Sequence, residues 1–284
     1  MRSRLLILIA ALTLGLTALV AAGCGDDDDG DDGTTSAETT EASAEDLGLI
    51  QEGVLTVGTD TPFPPFEIGQ PPNISGYDIE VVNAIAEQLG VEPEYTDTSF
   101  DTIFRDVASG QYDLAAAAST ITPGRQKTVD FSDPYYEAQQ ALLVTEDSDI
   151  ASTADLGGVI VGAQDGTTGE TYANDETEAA EVRGFPEGPD AVAALISGQV
   201  EAVIIDQPVA VDAVEKQGGV EIAEEIATNE LYGFAMAKGA PLVEAVNGAL
   251  QTIKDDGTLA EFYEEYFQTE PPESVLTGTT DNPG

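Results

Sequence analysis

The chain predicts an α/β fold built around parallel sheets, and three observations carry that prediction. Short apolar runs alternate with helical patterns from residue 54 to residue 267. Glycines and other turn residues punctuate the boundaries. Polar groups gather just past the ends of the apolar runs, which is where open parallel sheets hold ligands.

The elements follow in order. Val54-Leu55-Thr56-Val57-Gly58 alternates as a strand does and ends at a turn. Tyr77 to Leu89 places Ile79, Val82, Ile85, Ala86 and Leu89 at helical spacing, and Gly90 closes it. Phe100 to Ala108 reads as a second helix that stops at Ser109-Gly110. Leu114 to Ala118 is a short buried strand, and Ala141 to Val144 and Val159 to Ala163 are two more. Asp190 to Ile196 is a helix with Gly198 as its stop, and Ala202 to Ile205 is a strand that runs into Asp206. Helices over Leu242–Lys254 and Leu259–Phe267 complete the pattern, which Pro271-Pro272 ends.

Ahead of this body the sequence reads as an address. A basic start with Arg2 and Arg4 precedes an apolar run over residues 5–20, then Ala21-Ala22-Gly23-Cys24. That order describes a secretory signal peptide over residues 1–23. The next stretch, rich in Gly, Asp, Ser, Thr and Glu, cannot bury enough apolar surface to offset its ordering entropy. We read residues 24–50 as a solvated, self-repelling tether. Its Asp26–Asp29 run lacks the spacing and closing Glu of an EF-hand loop.

Composition excludes several functions. Nine Lys plus Arg stand against 54 Asp plus Glu, a formal charge of −45, so phosphates would be repelled and nucleic acid is not a partner. Such acidity suits solubility or high salt. The single cysteine, Cys24, allows no internal disulfide, and the absence of His removes the commonest metal ligand. No cofactor or metal is expected. The 42% hydrophobic content is ample for a core and too low for a multi-span membrane protein.

Four strand ends carry polar groups: Asp60 after the first strand, Thr120 with Arg125 beyond Leu114–Ala118, Gln164 after Val159–Ala163, and Asp206 after Ala202–Ile205. Four separate segments converging in this way are more specific than any one of them. Plainer readings stand beside them. Asp60 could cap the turn before Pro62, Asp206 could be a helix N-cap, Arg125 could pair with surface acids, and Phe63 and Phe100 could be core.

Five stretches together resemble the amino-acid-binding periplasmic solute-binding proteins, family 3, whose members include lipoproteins of ABC transporters. They are Val57-Gly58-Thr59-Asp60 with Pro64-Pro65-Phe66-Glu67; Gly76-Tyr77-Asp78-Ile79-Glu80; Ile121-Thr122-Pro123-Gly124-Arg125 running to Phe131-Ser132-Asp133-Pro134-Tyr135-Tyr136; Leu156 to Thr168; and Gly198 to Asp206. The resemblance implies the two-lobed periplasmic-binding-protein fold of type II with a two-strand hinge. It places lobe 1 at 51–141 and 230–270, lobe 2 at 142–229, hinge strands near Gln140–Val144 and Thr228–Tyr232, and a flexible tail at 271–284. The residues before Cys24 resemble a lipobox, with Ala21 where Leu is usual, which implies lipidation of Cys24 and a lipid-anchored, extracytoplasmic location.

The resemblance also implies roles within the site. Arg125 would grip a ligand carboxylate and Asp206 would pair with its ammonium. Thr120 would donate its hydroxyl to the carboxylate, and the Ala118 carbonyl would accept from the ammonium. Gly166 and Thr167 would supply backbone N–H groups, while Phe63 and Phe100 would wall the side chain. Asp60 and Gln164 would face the side-chain pocket, favouring neutral polar or basic ligands over acidic ones. Pro123-Gly124 replaces the acidic residue that many relatives carry in the turn before Arg125. The function implied is a monomeric receptor that delivers a free amino acid to the membrane permease of an ABC importer, not an enzyme. Two alternatives remain: a cyclohexadienyl-dehydratase-like enzyme with Asp60 or Glu67 as base, and a ligand-sensing domain.

Overall fold

The computed structural model describes residues 47–283. The expected signal peptide, Cys24 and the tether up to residue 46 lie outside the described residues.

Two five-stranded sheets organise two lobes. The first run of chain gives β1 (Val54–Thr59), a hairpin of β2 (Ile68–Gln70) and β3 (Asn73–Ser75), α1 (Tyr77–Leu89), β4 (Glu92–Asp97), α2 (Phe100–Ala108), β5 (Leu114–Ala115) and β6 (Val129–Phe131). The chain then crosses on β7 (Tyr136–Thr145). The second lobe holds β8 (Ile160–Gln164), α3 (Thr168–Glu176), β9 (Glu181–Phe185), α4 (Gly188–Ile196), β10 (Ala202–Asp206) and α5 (Gln207–Gln217). It returns on β11 (Val220–Tyr232) and ends with β12 (Ala235–Ala237), α6 (Leu242–Asp255), α7 (Thr258–Phe267) and α8 (Glu273–Leu276).

The first sheet has the order β4-β1-β5-β12-β6, with β1 parallel to both neighbours. The second has the order β11-β7-β10-β8-β9, with β8 parallel to β9 and β10. The two crossing strands, β7 and β11, pair antiparallel, and their register slips between Ile226 and Glu230. Both β1 and β5 in one lobe, and β8 and β10 in the other, therefore present their carboxyl ends to the cleft between lobes.

Packing explains the helices. In α1 the apolar face puts Ile79, Val81, Val82, Ile85 and Ala86 in the core, and Gly90 ends the helix in the left-handed region at φ 68°. In α2 the buried face is Phe100, Ile103 and Val107. An aromatic cluster sits where the strands cross. Tyr135 lies flat on Phe234 at 4.1 Å between ring centroids, and Tyr136 meets Phe267 at 4.5 Å. Lys254, a buried cation on α6, donates to the Pro134 carbonyl just before β7 at 2.9 Å, and burial lowers its amine to about 8.

The structure differs from the sequence reading at both ends of the body. The tether is expected to run to residue 50, yet Leu47 is buried and the Ile50 amide donates to Asp113. A flexible tail is expected over 271–284, yet α8 forms there and buries Val275. Beyond it, Asn282 exchanges two hydrogen bonds with the backbone of Phe131, and Thr280 N–H donates to Asp133. One apolar side chain and a row of backbone partners suffice to dock a segment whose composition looks disordered.

Candidate functional site: a cleft between the lobes

The polar strand ends converge on one pocket. Asp60, Phe63, Phe100, Ala117, Ala118, Thr120 and Arg125 line it from lobe 1, and Gln164, Thr167, Thr168 and Asp206 line it from lobe 2. Together they surround about 290 Å³ of space, part of it open to solvent.

Arg125 is positioned by its own turn and by aromatic rings. Its Nη1 donates to the Thr120 carbonyl at 2.7 Å, and its Nη2 reaches across the cleft to the Gly166 carbonyl at 3.1 Å. The guanidinium lies over Phe104 at 4.7 Å and Phe100 at 5.0 Å, both on α2. Burial lowers it to about 10, so it stays cationic at neutral pH, with Glu230, Asp206 and Tyr232 supporting the charge. A guanidinium with five N–H groups and only two spent on carbonyls has donors left for a planar anion.

Asp206 occupies the N-cap position of α5, but its side chain makes no cap bond. Instead its carboxylate accepts from the Gln140 amide and, at 2.6 Å, from the Tyr232 hydroxyl. Burial raises the carboxyl to about 7, and the nearby Glu230 charge adds to the shift. Asp60 accepts from the Phe100 N–H at 3.3 Å and from the Gln164 amide at 2.6 Å, the latter a bond between lobes. Burial raises Asp60 to about 6. Burial thus makes the anionic form of both acids costly, and a cation in the pocket would relieve that cost.

Ala118 adopts φ 43°, an uncommon conformation for a residue with a Cβ. Its N–H donates to the buried Asp78, which also accepts from the Tyr135 hydroxyl. Phe63 and Phe100 are buried and line the pocket, so core packing and pocket wall are the same role here. The nearby cations Arg105 and Lys127 point to solvent: both are exposed, and Arg105 pairs with Asp106.

Two expected roles are engaged differently. The Thr120 hydroxyl donates to Glu230 at 2.5 Å, which uses its one proton away from the pocket. The Gly166 amide donates to Glu170 at 2.8 Å; what Gly166 offers the site is its carbonyl, taken by Arg125. Sequence reasoning missed Thr168, Gln140, Tyr232 and Glu230. Of these, Thr168 carried a signal as the first residue of a helix just past a strand end, and the other three lie in the segments expected as hinge strands, where nothing marked them as facing the cleft.

The family model of bacterial extracellular solute-binding proteins, family 3, matches residues 55–269. The ABC transporter glutamine-binding protein GlnH of Bacillus subtilis (strain 168) is 31% identical over 275 residues, covering 93% of this chain and 98% of that protein. A solved structure of an ancestral arginine-binding protein bound to glutamine is 40% identical and covers 77% of this chain and 100% of that one, with a TM-score of 0.74. The ancestral amino acid-binding protein AncCDT-1, a precursor of cyclohexadienyl dehydratase, is 38% identical over 76% of this chain and 96% of its own, with a TM-score of 0.71. The chain belongs to family 3 of the bacterial extracellular solute-binding proteins.

Proposed function

We propose that this protein is the receptor of an ABC importer, that it encloses one free amino acid between its lobes, and that a basic or neutral polar side chain suits it best. A lipid on Cys24 would tether it outside the membrane, within reach of the permease. The observation that carries the reading is the pocket's polarity: Arg125 faces the same enclosed space as Asp206. Those are the two partners that a desolvated carboxylate and ammonium on one carbon require. Asp60, with Gln164 at its side, makes the side-chain end acidic. A guanidinium or ammonium there offsets the burial of Asp60, an amide can bond Gln164, and a carboxylate meets like charge. The similar glutamine-binding protein GlnH and the ancestral arginine-binding protein bound to glutamine support the same ranking.

A thermal-shift screen of the twenty amino acids with ornithine and citrulline tests the reading. Ligand at a hundred times its dissociation constant adds about 2.7 kcal/mol, a shift of several degrees. Arginine, lysine or glutamine should give the largest shifts. No shift with any of them would sink the proposal. One observation favours a second reading, an enzyme on this scaffold: Asp60, raised to about 6, could serve as a base. Amino acid recovered unchanged after prolonged incubation would speak for the receptor.

A further inference from the structure

Glu230 lies on the strand that returns from lobe 2 to lobe 1, and it collects a hydrogen bond from each lobe. Its Oε2 accepts from the Thr120 hydroxyl at 2.5 Å and from the Thr168 hydroxyl at 2.8 Å. Thr120 follows β5 in lobe 1, and Thr168 opens α3 in lobe 2. Oε1 accepts from the Gln140 amide of the other crossing strand at 3.2 Å, and that same amide serves Asp206. Glu230 is only 8% exposed, so these donors stand in for water.

A buried carboxylate is costly unless its oxygens are satisfied. Two of its three donors reach it together only while the lobes are closed, because rotation about the crossing strands would carry Thr120 and Thr168 apart and leave only Gln140. Charge-assisted hydrogen bonds are about twice as strong as neutral ones, so their loss on opening weighs on the open–closed equilibrium. The bonds also orient the pocket. Each threonine has one proton, and both protons point to Glu230, which leaves hydroxyl lone pairs for the pocket side.

We propose that Glu230 is a closure latch: a positioning residue that gathers one hydroxyl from each lobe, stabilises the closed cleft and thereby lengthens the stay of the amino acid. Its effect on affinity rests on the receptor reading above; its effect on lobe closure does not. A ligand that binds only the closed form loses affinity in proportion to the closed fraction.

The test uses the full chain with Glu230→Ala, Thr168→Val and the double variant. Paired labels on the exposed Glu87 of lobe 1 and Ile196 of lobe 2 report the inter-lobe distance without ligand. Stopped-flow displacement reports the off-rate of arginine. Both single variants should lengthen the ligand-free distance. The off-rate should rise on the order of tenfold for Glu230→Ala, as for loss of a bond to a charged group. The double variant should add little to Glu230→Ala, since both remove the same interaction. An unchanged ligand-free distance in Glu230→Ala, or effects that add fully, would overturn the latch. If Glu230→Ala does not fold, Thr168→Val carries the distance measurement, and no change there overturns it equally. If no amino acid binds the wild type while the distances still shift, the receptor reading fails and the latch stands.

Discussion

The Gln164 amide on lobe 2 donates to the Asp60 carboxylate on lobe 1 at 2.6 Å, so the acid that faces the side-chain end of the pocket is also a contact between lobes. Asp60→Asn removes the charge and keeps the shape. Basic ligands should lose affinity by about 1.5–3 kcal/mol, the worth of a hydrogen bond to a charged group, while glutamine should change by less than about 1 kcal/mol. Competition binding with arginine, lysine and glutamine reads the difference directly. Equal losses for all three would mean that Asp60 acts on closure and not on the ligand side chain.

Binding should release a proton. Burial lifts Asp206 to about 7, with Glu230 reinforcing it and with Tyr232, Gln140 and Arg125 pulling it back; burial lifts Asp60 to about 6. Both acids hold their proton more tightly folded than unfolded. In the ligand-free protein their protonation therefore adds stability, fully present below the ordinary carboxylate range near ~4, and lost as pH rises through 6 and 7. A ligand ammonium requires anionic Asp206, so affinity should fall by up to about tenfold per pH unit below 7. Calorimetry in buffers of different ionisation enthalpy measures the proton. Affinity that stays flat from about pH 5 to about pH 8 would remove Asp206 from the ammonium site.

Gly188 opens α4 on lobe 2 and approaches Phe63 of lobe 1. A Cβ there would lie 2.8 Å from Phe63 Cε2 and 3.2 Å from Ile205 Cδ1. Gly188→Ala should hold the lobes apart and weaken ligand binding by about 1–3 kcal/mol, as overpacking does elsewhere. Thermal unfolding of the ligand-free protein should move little, because the severe contact is with Phe63 of the other lobe, while the Ile205 tip within lobe 2, at 3.2 Å, has to give by only a few tenths of an ångström. A large drop in unfolding temperature with unchanged affinity would show that the contact belongs to the core.

Much of this was legible in the sequence. Residues 77–89 and 100–108 form helices with the bounds that their apolar spacing and their stops at Gly90 and Ser109-Gly110 give. Elements with a weak buried face were not legible. The strand Glu92–Asp97 is an acid-rich sheet edge, and the helix Thr168–Glu176 buries only Gly169 and Ala173. The same holds for the site. Asp60, Gln164 and Asp206 could be found because strand ends announce themselves. Gln140 and Glu230 sit within β7 and β11, where only the three-dimensional crossing of the two strands brings them to the cleft.

Anchoring through Cys24 is tested by Cys24→Ser. The expected result is loss of the protein from the membrane fraction or failure to process the leader. A mature N-terminus found at another residue would remove the lipid from the account.

Calorimetric titration of arginine into the wild type, Arg125→Ala and Asp206→Ala tests the central claim most directly. Removing one partner of a desolvated pair costs about 3–5 kcal/mol. Both variants should therefore bind roughly a hundred- to several-thousand-fold more weakly than the wild type, which should bind one equivalent. Near-normal affinity in either variant, or no binding of any free amino acid to the wild type, would contradict it.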